Sequence, residues 1–273
     1  MGTFIQWKNF EALLPYANMF KEGLITTVLL ALFTVLIGFV LGLLLSVMRM
    51  SNIRPFLWLA HAFPDTFGFF ERDRNGMLRD SGFLYHLGRF NPLSFLATAY
   101  VEVIRSTPVL VQVMVIYFGV FSQLFSLPSF KIFGFIAFNR FFPGVVALAM
   151  NSGAYLCEII RSGIQSIDGG QTEAARSLGL SQGQNMRFII LPQAIKNILP
   201  AIGNEFVTII KESAITYTIG VQDIMATVNT IRGSAFIIME PLLVATALYF
   251  CLCFPLSKLI AYIERRMSRG DRR

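Results

Sequence analysis

The feature that most constrains this chain is the length of its uncharged apolar runs. From Gly23 to Met48 there are 26 consecutive residues without a charge, and about 20 helical residues cross a hydrocarbon core ~30 Å thick. Ser106 to Phe130 is a second such run, of 25 residues, and Phe141–Cys157 and Pro241–Ser257 add two of 17 each. Inside a bilayer the backbone has to satisfy its own polar groups, so runs of this kind fold as helices. Composition agrees: 55% of residues are hydrophobic and 14% charged, and the mean hydropathy is +0.61, outside the soluble globular norm. The expected fold class is an all-α polytopic membrane protein.

Five transmembrane helices are predicted, at roughly 22–49, 97–122, 141–163, 199–221 and 235–262. The fourth is the most polar, interrupted by Glu205, Lys211 and Glu212. Two further apolar patches, 55–63 and 132–139, are too short to cross; their aromatic residues and flanking charges predict interfacial segments. Gly38 and Gly42 make a Gly-x-x-x-Gly pair in the first span, which predicts close helix packing. Residues 1–21 are expected to form an N-terminal external segment without the order of a cleavable secretory signal, and Gln6 breaks the myristoylation pattern.

Basic residues choose the orientation. Seventeen of the 23 Lys and Arg residues fall in the 1–2 connection, the 3–4 connection and the tail, against five on the other side and Lys211 within the membrane. The positive-inside rule therefore puts the N-terminus outside and the C-terminus, with its basic tail 266–273, in the cytoplasm. The net charge of +7 reads as a topology signal and an affinity for anionic membrane lipid. A nucleic-acid partner is not indicated, because aromatic-interleaved basic motifs are absent. Cys157, Cys251 and Cys253 are odd in number, lack Cys-x-x-Cys spacing and sit in or beside spans, so they read as inert core thiols with no disulfide or metal role. His61 and His86 stand in no triad or metal spacing.

The polar segment 168–197 lies on the cytoplasmic side. Gly169-Gly170 is expected to break the helix leaving the third span, with a short Ala-rich helix at Gln171–Leu178. Gly179 suits a left-handed C-terminal position, and Ser181 with Gln184 has capping-box spacing for a second short helix. Pro192 is expected to kink or stop the chain before it re-enters the membrane. Such a helix, held between two spans, is a protruding knob able to pass motion from a soluble partner to the bundle.

EAARSLGLSQGQNMRFIILP resembles the EAA signature of ABC importer permeases: Glu-Ala-Ala, three residues, Gly, nine residues, Ile, one residue, Leu-Pro. The matching positions are Glu173, Ala174, Ala175, Gly179, Ile189, Leu191 and Pro192; Arg176 adds a charge beside them. The stretches 23–42, 100–119, 151–181 and 199–216 are similar to the binding-protein-dependent polar amino-acid permeases, the histidine, glutamate, glutamine, arginine and opine group. The resemblance implies a type I importer (MetI-like) fold over 22–265, with 168–197 as the coupling loop that docks on a cytoplasmic ATPase. It implies ATP and Mg on that ATPase and no cofactor on this chain. It implies an extracytoplasmic amino-acid-binding protein, a second permease (identical or paralogous) and an amino-acid substrate. The interval 51–94 departs from the pattern, because the family's first cytoplasmic connection is usually about half as long.

The chain contains no Gly-Lys dipeptide, so it lacks the phosphate loop of a nucleotide-hydrolysing subunit and is not itself an enzyme. Ionisable residues within spans usually face the bundle interior or a cavity. On that ground Gln112, Asn151, Tyr155, Glu158, Asn204, Thr208, Lys211 and Glu212 are candidates for a solute path, since an amino acid needs a cation for its carboxylate and an acceptor for its ammonium. The same set reads equally as a structural polar network, with Glu158 pairing to Arg161 at i, i+3. A secondary transporter or channel is the competing function, for which an inverted repeat would speak; none is found. A membrane enzyme would need a convergent catalytic set, and none is visible.

Overall fold

The computed structural model describes residues 7–51 and 90–268. Helix α1 (Trp7–Glu11) and a 3₁₀ turn at Leu14–Tyr16 lead into α2 (Ala17–Met50). The first span therefore starts inside the segment expected to be external. The chain before it folds back on the bundle: Leu13, together with Phe20 of α2, packs with Ile224, Val228, Ile231 and Ala245. The expected patch 55–63, and nearly all of the enlarged loop 51–94, lie outside the described residues.

The second span is not one helix. Helix α3 (Pro92–Arg105) and α4 (Val109–Met114) meet at 108° across Ser106–Pro108, and α4 continues through a π-helical turn, Val115–Phe121, to Leu124. Pro108 lacks an N–H and restricts the residue before it, which explains the break. The aromatic patch expected at the interface is a two-stranded hairpin, β1 (Lys131–Ile132) and β2 (Ile136–Ala137), paired Lys131 to Ala137 and Ile132 to Ile136. Its turn puts both Phe133 and Gly134 at positive φ, +52° and +79°.

Helix α5 (Phe138–Gln165) is the central element and the most buried of the long apolar helices. It packs along α2, where the Gly-x-x-x-Gly pair works as expected. A Cβ on Gly42 would lie 2.8 Å from the Leu156 Cβ, and one on Gly38 3.1 Å from the Ser152 Cβ. Leu30, Val113, Phe141, Val145 and Leu148 form the main apolar core around this crossing.

Two short helices, α6 (Gly169–Ser177) and α7 (Gln182–Asn185), then connect through a π-helical turn, Met186–Ile190, to α8 (Leu191–Glu212). Beyond Glu212 the chain tightens into a 3₁₀ helix, Ser213–Ile219, ended by left-handed Gly220 at φ +82°. Where a fourth span was expected at 199–221, the α-helix covers residues 191–212 and the 3₁₀ helix follows it. Helix α9 (Ile224–Ala235), capped by the Asp223 carboxylate on the Ala226 N–H at 2.7 Å, was not expected at all. Helix α10 (Met239–Ser268) closes the fold.

Among the described residues three helical stretches, Lys8–Met50 (which includes α1, the 3₁₀ turn and α2), Phe138–Gln165 and Met239–Met267, are long and apolar enough to cross a membrane, and the bent pair α3–α4 brings the number to four if it is counted as one span. Helix α8, with 22 residues, reaches about 33 Å at 1.5 Å per residue; it is more polar than these helices and packs against α2, α5 and α10. The three cysteines are free; Cys157 is a core thiol as expected, while Cys251 is exposed on the outer face of α10.

Candidate functional site

The polar segment between α5 and α8 is built from local hydrogen bonds. Helix α5 ends at Gln165 and the break falls at Ser166–Asp168, not at the glycine pair. The Asp168 carboxylate accepts the Gly170 N–H at 2.6 Å, so Gly169 and Gly170 form the first turn of α6. At its other end the Leu180 N–H reaches the Ala175 carbonyl at 3.0 Å and the Gly179 N–H the Arg176 carbonyl at 2.9 Å. These two bonds make a Schellman closure, which requires the left-handed φ of +78° that Gly179 adopts. The expected capping box is complete: the Gln184 N–H donates to Ser181 Oγ at 3.3 Å, and the Ser181 N–H to Gln184 Oε1 at 2.9 Å. The buried Asn185 amide donates to Thr172 Oγ1 at 3.2 Å and pins the two short helices together.

The signature residues divide by exposure. Ala175 is buried and anchors α6, whereas Glu173, Ala174, Arg176 and Gly179 are exposed. Leu178 is 82% exposed and Phe188 60%, two apolar side chains that the sequence reading did not single out. A leucine ending an otherwise polar Ala-rich helix was the available signal. Ile189 is half-buried in the π-helical turn, and Leu191 and Pro192 are exposed at the start of α8. Pro192 does not stop the chain; it stands in the first turn of α8, directly after the π-helical turn. It has no N–H to donate, and the widened turn before it absorbs the missing bond.

The solute-path candidates do not come together as one set. The Asn151 amide donates to Gln112 Oε1 at 2.9 Å, and Gln112 Nε2 donates to the carbonyls of Ile104 (2.6 Å) and Thr107 (3.0 Å). Both side chains are buried; their work is to satisfy carbonyls freed by the α3–α4 break. Glu158 is held by guanidinium groups: Arg49 on Oε1, Arg161 on Oε2 at 2.7 Å, and Arg105 3.7 Å from Oε1. A carboxylate so engaged is no open acceptor for an ammonium. Ser152 Oγ–H donates to Glu205 Oε1 at 2.9 Å, coupling α5 to α8.

What stays open is Tyr155, Asn204 and Lys211, exposed on this chain, with Thr208 and Glu212 half-buried beside them. Arg105 stacks over the Tyr155 ring at 5.5 Å. The Thr208 hydroxyl is turned back onto the Asn204 carbonyl at 3.1 Å. Sequence reasoning missed Arg49 and Ser152, whose partners are remote in the chain.

A helical bundle with several membrane-crossing helices, a rigid helix pair projecting between two of them and no nucleotide loop of its own is the architecture of a transporter permease. The chain belongs to the family of binding-protein-dependent transport system inner membrane components, which it matches over residues 81–269. It is therefore a multi-pass inner-membrane permease component, with ATP hydrolysis on a separate subunit. It is 35% identical over 263 residues to the arginine transport system permease protein ArtQ of Bacillus subtilis (strain 168), covering 96% of this chain and 99% of that one. It is 38% identical to a chain in the crystal structure of an amino acid ABC transporter with histidines, at a TM-score of 0.74, covering 94% of this chain and 98% of the other. The MetNI methionine ABC transporter, in an inward-facing conformation, superposes at a TM-score of 0.63 with 16% identity over 93% of this chain and 98% of that one, which fixes the fold as MetI-like.

Proposed function

We propose that this permease carries polar amino acids into the cell and is driven through the helix pair α6–α7, with Glu173, Ala174, Arg176, Gly179 and Leu178 forming the surface that seats on the ATPase. Ala175, Ile189, Leu191 and Pro192 hold that surface in place. The observation that carries this reading is the shape of the segment: its ends are tied internally while its signature side chains remain exposed. The substrate class is supported by the relatives, one named for arginine and one for amino acids with histidines. The N-terminus lies outside and the C-terminus in the cytoplasm, the orientation the basic residues favour. ATP and Mg belong to the ATPase, the solute is delivered by an external binding protein, and a second permease completes the path.

Within the spans, Tyr155, Asn204, Thr208, Lys211 and Glu212 line the solute path. Lys211 offers the cation for a substrate carboxylate. ATP-dependent uptake into proteoliposomes holding the whole complex tests both parts. Glu173→Lys and Gly179→Trp are expected to lower uptake at least tenfold with membrane insertion unchanged, and near-normal uptake in both removes the coupling role. In the same assay Lys211→Met is expected to raise the KM for solute, and an unchanged KM takes Lys211 off the path.

A further inference from the structure

We propose that Glu158 is the positioning residue through which movement of the coupling segment reaches α2 and α3, an inference that rests on the coupling role proposed above. The chain itself links that segment to only two of the long helices. Helix α5 runs into it through Ser166–Asp168, and α8 leaves it through Met186–Ile190; the Asn197 amide also donates to Ser166 Oγ at 2.9 Å, joining the two. Helices α2 and α3 have no such covalent route.

At this end of the bundle they meet α5 through the close approach of Gly42 to Leu156, through an apolar patch, Leu45, Ala97, Val101, Ala154 and Cys157, and through Glu158. Apolar contact resists separation but tolerates sliding, because the hydrophobic effect has no direction. A carboxylate gripped by guanidinium forks has direction, and it sets the register. Glu158 takes Arg49 from the last turn of α2 and Arg161 from its own helix, with Arg105 from the end of α3 at 3.7 Å. Arg161 extends the chain of contacts to Gln165 Oε1 at 2.6 Å, in the last turn before the segment. The join is reinforced from α3: Ser94 Oγ–H donates to the Arg49 carbonyl at 3.0 Å, and the Asn91 amide to the Ser51 carbonyl at 2.6 Å.

The node also has a second arrangement within reach. Arg49 Nη2 already lies 3.8 Å from Glu102 Oε1, on a side chain that is 64% exposed, and Arg105 stacks on Tyr155. Arg49 thus has a second carboxylate within reach on α3, while Arg161, on the same helix as Glu158, moves with it. A shift of α5 would pass Arg49 from Glu158 to Glu102 and leave Glu158 with Arg161, which supplies the discrete two-state element that coupling between distant sites requires.

The test is the ratio of solute imported to ATP hydrolysed by the reconstituted complex of permease, ATPase and binding protein. Glu158→Gln is expected to lower this ratio at least tenfold while the ATPase stays bound and hydrolyses ATP. A merely structural role would instead lower assembly and Tm and leave the ratio of the assembled fraction unchanged. Glu102→Gln, at an exposed position that does not threaten folding, leaves Arg49 without its second partner and is expected to lower the ratio at least threefold. Ratios within twofold of wild type in the assembled variants overturn the node; where Glu158→Gln does not assemble, Glu102→Gln decides alone. Failure of the wild-type chain to retain any ATPase would sink the coupling reading itself, whereas coupled wild type beside coupled variants sinks only the node.

Discussion

At the scale of single residues, the same substitution is expected to act in opposite directions at two glycines. A Cβ on Gly42 would meet the Leu156 Cβ at 2.8 Å and the Gly153 carbonyl oxygen at 2.9 Å, so α2 and α5 cannot keep their separation. Gly42→Ala is expected to cost about 1–3 kcal/mol, the usual range for overpacking. Gly233, on α9, has nothing within 4 Å of its added Cβ, and Gly233→Ala is expected to gain about 0.5–1 kcal/mol through helix propensity. Thermal unfolding of the detergent-purified protein reads both. The glycine contact was legible because small residues four apart in an apolar run have few other uses. Roles of buried polar residues were less so. Gln112, Asn151 and Glu158 were open to two readings, solute contacts or a structural polar network, because polar groups in spans are costly; the structure satisfies that cost with protein partners, the Glu158–Arg161 pair among them. The Arg49 partner of Glu158 is 109 residues away, and Gln112 answers carbonyls that exist only because the helix bends.

At the scale of elements, the bend itself is the feature to test. Gln112 is the side chain that closes the gap between α3 and α4: its two amide N–H groups reach the carbonyls of Ile104 and Thr107, and Thr107 Oγ1 at 2.8 Å shares one of them. Replacing it with leucine of similar length leaves those acceptors and Asn151 without their partner. Gln112→Leu is expected to cost about 1–3 kcal/mol, the penalty for unsatisfied buried polar groups, seen as a lowered Tm. A Tm equal to wild type would mean that the break holds without it. The short helices α6 and α7 were legible almost to the residue, because caps and left-handed closures act over three to six positions. The break itself was misplaced: Asp168 out-competes the glycine pair as a helix start, since its carboxylate satisfies a free N–H. Helix α9 was missed because no apolar run of spanning length announces it, and its packing partners, Leu13 and Phe20, come from the far end of the chain.

At the scale of the whole molecule, the long helical stretches among the described residues fall into three kinds. Three are apolar enough to cross a membrane alone, one is a bent pair, and α8 is a more polar helix sheltered by its neighbours. Run length found the first kind directly and the second as an unbroken stretch. The third needed the surrounding bundle to make sense of its charges. The proposed orientation has a simple check. Single cysteines at Ser177 and Ser126, in a background where Cys157, Cys251 and Cys253 are replaced, are expected to label from opposite faces with an impermeant thiol reagent, Ser177→Cys only from the cytoplasm. Labelling of Ser177→Cys only from outside reverses the orientation drawn from the basic residues, and labelling of both from one face denies that α5 crosses.

The bonds that close α6 and α7 on themselves bear on how fast the proposed contact with the ATPase can form and how long it lasts. A joint that is already in shape before contact gives up little chain entropy on docking. Encounter with the ATPase would then need no refolding step, and substitutions on that face would act mainly on residence time. Loosening the closure without altering its outer side chains would slow the arrival as well.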